Sequence, residues 1–451
     1  MNEVADTETV RRIGAQLDAA VHIQVPSSKP ETQRALLTAA LADGTSTIYN
    51  DLRCRETSAM VAACEAIGAR IEWHEDRMIV TGVGGLPDAN RAVTIVQAHG
   101  SGLVFRVFTA LGSVLKGPVA ITGDAILRRR PMGPLIESLR ALGASIEYLG
   151  DEGCAPVIVN SDRLTGGTTH IAGDISSQFI TALLLAAPFA QAPTQIRVTG
   201  TILSQSYIRQ TLAAMRESGI DVSEGEGGSL SELEVKPGCY KPHDSFIHGD
   251  FTSASYLLAA AALYPGRYVL GNMTSDSLQG ERTIVDIVRQ LGVALEFDED
   301  RKLLHVWNKG DGMRGDHIFD VSDSPNIVPT LAALGSFVDG SFTVTGGSIT
   351  RLHKSPRIQA MVTELRKLGV DITPTERGGV VDGFCIRGDG RPLYGGIELD
   401  GWSDHRIVMS LHMISGRCLQ RNTLRGEDSV DSSFPGFFEA FEALVKESHL
   451  G

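Results

Sequence analysis

The feature that most constrains this chain is a pattern that returns about every 75 residues. Five apolar helical stripes each run into a glycine and then a short alternating stretch. The glycines are Gly68, Gly143, Gly219, Gly292 and Gly369, at spacings of 75, 76, 73 and 77 residues. In one of them, Ile358, Met361, Val362, Leu365 and Leu368 keep the spacing of a single helix face. A glycine at such a stop suits the left-handed turn that ends many helices. In Ile71-Glu72-Trp73 the apolar residues alternate, as in a half-buried strand. A sixth helix over Phe437 to Val445 is expected to close the chain.

A second helix recurs at the same period. It is expected at Ala35–Leu41, Val107–Leu111, Phe179–Ala187, Ser255–Leu263, Pro329–Leu334 and Ile407–Met413, most of these running on to a glycine (Gly44, Gly117, Gly266, Gly340, Gly416). The period exceeds the 20–50 residues of stacked solenoids. Six such units favour two domains of three over an open superhelix, and 451 residues are too many for one core.

Polar clusters stand at the start of each second helix. They are Ser27–Arg34, His99–Arg106, Asp174–Gln178, Asp250–Ser253, Ser322–Pro325 and Ser403–Arg406. Helix N-termini favour anions through free N–H groups and the helix dipole. Simple N-capping accounts for any one cluster, but not for the Lys and Arg that recur beside the caps. Three more loops add to the set: Asp124–Pro131 with three arginines, Ser204–Tyr207, and Arg351–Arg357. Arginine suits bidentate phosphate or carboxylate recognition and lysine acts as a point charge.

The overall balance sharpens this. The formal charge is 41 − 54 = −13, which argues against a nucleic-acid binder and requires a local basic patch for any anionic ligand. The acidic N-terminus, Met1 to Asp6, lacks a signal-peptide core. The longest apolar runs, such as Ile180 to Phe189, are too short to span a bilayer. The six cysteines are scattered without a C-x-x-C pair, as expected of inert thiols in a reducing cytoplasm.

These residues resemble the 5-enolpyruvylshikimate-3-phosphate synthase family. The resemblance runs from about Val25 to Phe438. It is carried by Ser28-Lys29 with Arg34, Gly102 to Arg106, Gly123-Asp124 with Arg130-Pro131, Ser176-Ser177-Gln178-Phe179, Ser204 with Tyr207-Ile208, Gly249-Asp250 with Ser253 to Tyr256, and Asp404-His405-Arg406. It implies an α/β fold of two domains, an inside-out α/β barrel of six βαβαββ units in pseudo-threefold arrangement. Residues 1–27 plus 248–451 would form one domain and residues 28–247 the other.

The implied activity moves the carboxyvinyl group of phosphoenolpyruvate to a hydroxyl of a phosphorylated acceptor, foremost shikimate 3-phosphate, and releases phosphate. No metal or organic cofactor is implied. The partners are small molecules only, with no nucleic acid or membrane, and the expected form is a cytoplasmic monomer. By position, Lys29, Arg130, Arg357 and Arg406 would hold phosphoenolpyruvate. Ser176, Ser177, Ser204 and Lys354 would hold the acceptor phosphate, and Arg34, Gln178, Tyr207 and Asp323 would position the acceptor. Asp323 would be the base for the attacking hydroxyl, Lys29 an acid, and His405 a further catalytic candidate.

Departures from the family pattern cluster at the reaction centre. The family's Lys-Glu-Ser/Thr-Asp-Arg loop reads Lys354-Ser355-Pro356-Arg357, one residue shorter and without the glutamate. Asp404, Asp431 and His405 are candidates to replace it. Pro30 stands for a serine, Gly100-Ser101-Gly102-Leu103 for an Asn-Ala-Gly-Thr loop, and Ser432-Ser433 where a lysine precedes Phe434-Pro435. An early acidic contact of the family falls at Thr57. Three readings follow: a divergent shikimate-pathway enzyme, a carboxyvinyltransferase for another phosphorylated acceptor such as the nucleotide UMP, or a phospho-ligand-binding protein without turnover. The loop Asp124 to Pro131 holds no cysteine, unlike the related UDP-N-acetylglucosamine carboxyvinyltransferases.

Overall fold

The structure, a computed structural model, describes residues 20–85, 93–161 and 163–447. The N-terminal residues assigned above to the first domain therefore lie largely outside the described residues. Five four-stranded sheets share one plan: a parallel pair followed by two antiparallel neighbours. The plan is seen in Thr94–Gln97, Val119–Thr122, Val157–Val159 and Ile146–Tyr148, in that spatial order. Two of the five sheets are completed by distant strands. Val21–Gln24 pairs in parallel with Gly266–Gly271, and Ser245–Phe246 with Thr45–Tyr49. Two short parallel pairs, Leu393–Gly395 with Cys418–Gln420 and Glu398–Asp400 with Thr423–Arg425, follow near the C-terminus. The architecture is thus mixed helix and sheet.

The repeating glycines have the conformation their position demands. Gly68, Gly143, Gly219, Gly292 and Gly369 adopt φ of +105°, +95°, +78°, +96° and +85°, each following the cap residue of its helix. The other glycine series behaves differently. The helices that precede it stop on their own caps, such as Ala42 and Tyr264, before the glycine is reached. Gly416 itself is right-handed at φ −72°.

Six helices carry the polar clusters: α1 (Lys29–Leu41), α2 (Gly102–Gly112), α3 (Ser177–Ala186), α4 (Phe251–Leu263), α5 (Val328–Gly335) and α6 (His405–Ser415). Helices α2 to α5 are apolar nearly all round, as suits buried helices, while α1 and α6 begin with polar and charged residues. Every residue of α2 and of α4 is buried. Helices α4, α5 and α6 pack on one another, and α2 packs on α3. Buried apolar side chains form two clusters. One runs from Leu36 to Ile247, and the other joins Val21–Val25 to residues from Phe251 to Leu444. The chain passes between them at two adjacent places. There Ser27 bridges Gly249, the Ser28 N–H donates to the His248 carbonyl at 2.7 Å, and the Asp250 N–H to the Pro26 carbonyl at 2.8 Å.

Candidate active site

Between the two clusters lies a cleft of about 160 Å³, partly open to solvent. The starts of α1, α2, α3 and α6, and the short turn Pro325–Ile327 that leads into α5, all reach its wall. Side-chain caps fix three of these ends, and that of α4 beside them. Ser28, Ser101, Asp250 and Asp404 accept backbone N–H groups of α1, α2, α4 and α6. The turns before the helices are tight. His99, Ser204, Trp402 and Ser403 are held at positive φ near 50°–57°, a cost paid where a structure over-determines a loop.

The cleft collects cations from both sides. Lys29, Arg34, Arg106 and Arg130 come from the first stretch of chain, and Lys354, Arg357 and Arg406 from the second. Glu56 is the carboxylate among its described lining residues. It sits between Lys29 at 3.0 Å and Lys354 at 2.9 Å. Burial pushes its carboxyl up, but the two ammonium groups outweigh this and hold it well below the usual carboxylate range. In an acidic protein this is a concentrated positive field.

The cations are not equally free. Arg34 spends its guanidinium on the Thr211 hydroxyl and on the Pro30 and Tyr207 carbonyls, at 2.8–2.9 Å. Burial lowers it to about 10. Arg357 grips Asp404 at 2.8 Å and the Asn326 side-chain carbonyl at 2.9 Å. Arg106, Arg130 and Arg406 each leave a buried Nε without a partner. Burial and the neighbouring Arg130 depress Arg106 strongly. Unpaired buried donors of this kind are what an oxyanion would satisfy.

Of the residues expected from sequence, Lys29, Arg34, Arg130, Ser176, Ser177, Gln178, Ser204, Tyr207, Lys354, Arg357, His405 and Arg406 line the one cleft. Asp323 does not. Its Oδ1 accepts the Ser206 N–H at 2.7 Å at the start of the helix Gln205–Glu217. The residue of that segment that faces the cleft is Asn326, because the turn at Pro325 brings it round. Thr57, where the family's acidic contact was expected to fall, does not line the cleft, and the carboxylate one residue earlier, Glu56, does. Thr57 is buried in a capping box, its hydroxyl donating to the Leu52 carbonyl at 2.7 Å. Among the candidates for the missing glutamate, Asp404 is saturated by Arg357, by the Ser355 hydroxyl at 3.0 Å and by the Arg406 N–H. Asp431 is exposed beside Arg55 at 3.9 Å.

His405 remains. It is buried, lines the cleft, and neither ring nitrogen has a hydrogen-bond partner, Asp404 Oδ1 lying 3.8 Å from Nδ1. Burial, helped by Lys354, drives it well below the ordinary imidazole range, so it is neutral. Sequence reasoning also missed Arg106, although the Gly102–Arg106 motif contains it, and a buried network behind Tyr207. The Tyr207 hydroxyl donates to Glu281 Oε1 at 2.6 Å, and the Asn326 amide donates to both at 2.6 and 3.0 Å. Among the described residues no His, Cys, Asp and Glu cluster could hold a metal ion, and no helix is long and apolar enough to cross a membrane.

A cleft that presents cations and helix ends from two halves of the chain to one space defines a binding site for anionic small molecules. The chain belongs to the EPSP synthase (3-phosphoshikimate 1-carboxyvinyltransferase) family, whose model matches residues 12–441. A 3-phosphoshikimate 1-carboxyvinyltransferase of Methanococcus maripaludis strain C5 is 35% identical over 426 residues, 94% of this chain and 95% of its own. That of Natronomonas pharaonis is 36% identical over 433 residues, with the same coverage of 94% and 95%. The solved EPSP synthase from Acinetobacter baumannii superposes with a TM-score of 0.76 at 27% identity, over 93% of this chain and 95% of that one.

Proposed function

We propose that this enzyme transfers the carboxyvinyl group of phosphoenolpyruvate to a hydroxyl of shikimate 3-phosphate and releases phosphate, in the cytoplasm. The observation that carries the reading is the convergence of seven cationic side chains, with one carboxylate, on a cleft between two apolar clusters. Two phosphorylated anions bound side by side need that excess of positive charge. The two clusters are read as domains divided at 27/28 and 247/248, and the sheets and helices as six βαβαββ units of an inside-out α/β barrel. Closure of the domains on the substrates would exclude water.

In this reading Lys29, Arg130, Arg357 and Arg406 hold phosphoenolpyruvate. Ser176, Ser177, Ser204 and Lys354 hold the acceptor phosphate, with Arg34, Gln178 and Tyr207 around the acceptor. Arg34 fixes Thr211, Pro30 and Tyr207 through its Nε, Nη1 and Nη2 groups and keeps further N–H donors for the acceptor. Lys29 delivers a proton to the methylene carbon as the acceptor oxygen bonds to C2. His405 removes a proton from that carbon as phosphate leaves, its basicity raised by the negative charge of the bound substrates, which offsets the neighbouring cations. Glu56 keeps Lys29 and Lys354 in place until substrate anions take over its role.

A second acceptor remains a specific alternative. No carboxylate occupies the wall at Ser355 or Asn326, so proton transfer at this centre follows another route, and a different phosphorylated alcohol such as UMP would stack on Tyr207. Phosphate release from phosphoenolpyruvate with shikimate 3-phosphate, UMP and UDP-N-acetylglucosamine separates these. Release with shikimate 3-phosphate supports the proposal. Release only with UMP replaces it by the alternative, and saturable binding without release overturns turnover altogether. Lys29→Ala is expected to abolish release; full retained activity refutes its role.

A further inference from the structure

The acceptor hydroxyl must lose a proton, and the segment expected to supply a base presents an amide. Asn326 cannot take up a proton at neutral pH, and Asp323 is tied to the Ser206 N–H at 2.7 Å, away from the cleft wall. The structure holds a different route. Tyr207 lines the cleft, and its hydroxyl donates to Glu281 Oε1 at 2.6 Å. Glu281 is 1% exposed, so from the cleft it is reached through that phenol. The Asn326 amide donates to the Tyr207 oxygen at 2.6 Å and to Glu281 Oε1 at 3.0 Å, while Arg357 fixes the amide carbonyl at 2.9 Å. Three side chains from three segments thus hold one short proton path, of which the sequence pointed to Tyr207 and not to Glu281 or Asn326.

We propose that Tyr207 and Glu281 form the proton relay for the acceptor hydroxyl, a step that rests on the transferase reading above. As the acceptor oxygen bonds to C2 of phosphoenolpyruvate, its O–H bond breaks and the proton passes to the Tyr207 oxygen. The Tyr207 proton passes in the same event to Glu281. C3 gains its proton separately, from Lys29. On collapse, C3 loses a proton to His405, which releases it to solvent while Lys29 regains one from solvent; the C2–O bond to phosphate breaks with its electron pair leaving on oxygen, and Glu281 returns its proton through Tyr207 to the phosphate. The net result is one proton moved from the acceptor hydroxyl to the released phosphate, with no oxidation or reduction. Burial raises the Glu281 carboxyl above its ordinary range, which matches a group that must accept a proton and keep it briefly. Tyr207 is the catalytic residue and Glu281 acts through it.

The test uses the full-length protein with phosphoenolpyruvate and shikimate 3-phosphate. Tyr207→Phe and Glu281→Gln are each expected to lower kcat by ~100-fold or more, the scale of a lost general base, with acceptor KM changed less than about threefold. The double variant is expected to be no slower than either single one, as for residues that act as a unit. In H2O/D2O mixtures the unmodified protein should give a curved proton inventory, and each variant a linear one. A purely structural role would alter KM or thermal midpoint and leave the curvature unchanged. Undiminished kcat in Tyr207→Phe, or a linear inventory in the unmodified protein, overturns the relay alone. No turnover by the unmodified protein overturns the transferase reading and the relay together.

Discussion

Glu31 offers the sharpest prediction, because its burial has a computable cost. It is the third residue of α1, three after the Ser28 cap, at the place where the chain crosses between the two apolar clusters. Gln279 donates to Glu31 Oε1 at 2.8 Å and to the Gly249 carbonyl at 2.9 Å, while its own carbonyl accepts the Phe251 N–H at 2.7 Å. Burial lifts the carboxyl from 4.5 to about 7; the Gln279 contact works against that lift and neighbouring Asp250 adds to it. The folded protein therefore holds this proton over a range where the unfolded chain has released it. Stability linked to it is full below about pH 4.5 and falls as pH rises to about 7. A shift of about 2.5 units corresponds to about 3 kcal/mol. Partial exposure and solvent screening reduce this to ~1–2 kcal/mol. Glu31→Gln keeps the shape and the Gln279 contact but cannot titrate. Urea unfolding followed by tryptophan fluorescence should find the two proteins equal near pH 4, and the Gln variant more stable by ~1–2 kcal/mol near pH 8. A difference that is flat with pH, or one that favours the parent at pH 8, would refute the reasoning.

Arg357→Ala should destabilise by ~3–5 kcal/mol in thermal or urea unfolding, since it strands the buried Asp404 carboxylate that it holds at 2.8 Å; a loss under ~1 kcal/mol would count the pair as dispensable. Glu56 titrates in the opposite sense to Glu31. The two lysines hold its carboxyl low despite burial, so its contribution is present above about pH 4.5 and lost as pH falls below it. Glu56→Gln should therefore flatten the acid limb of the stability curve, and an unchanged acid limb would contradict this.

The fold was largely legible because its signals are local and periodic. The stop glycines, the apolar inner helices and the capping clusters each report a backbone need within a few residues. The convergence of the cations was legible only through the order of the motifs, since Lys29, Arg130, Lys354 and Arg406 lie far apart in the chain. Single-residue placement was less so. One helical step separates Glu56 from Thr57 and decides which of them faces the cleft and which closes a capping box. In Ser322–Asn326 the carboxylate looked like the functional residue. The turn at Pro325 rotates the chain so that Asp323 caps another helix and Asn326 faces the site. Glu281 carried no signal in its own neighbourhood, because its partners come from residues 207 and 326.

Asn326 gives that last point a test of its own. Its amide donates 3.0 Å from Glu281 Oε1 and its carbonyl accepts from Arg357 at 2.9 Å. Asn326→Asp preserves volume and the Arg357 contact, but sets two carboxylates at hydrogen-bond distance in a buried place. Like charges so close cannot both ionise, so the pair keeps one proton between them. The raised member makes stability fall as pH rises, by ~1–3 kcal/mol toward pH 8 relative to the parent. It also leaves Glu281 already protonated or held by its neighbour, so the Tyr207 proton has nowhere to go. Turnover should therefore fall, although an acid has been added to the wall. If instead Asn326→Asp raises kcat, the new carboxylate is itself a competent base, and the amide in this chain is a loss and not part of the path. Stopped phosphate-release assays beside urea unfolding at two pH values distinguish these outcomes in one pair of proteins.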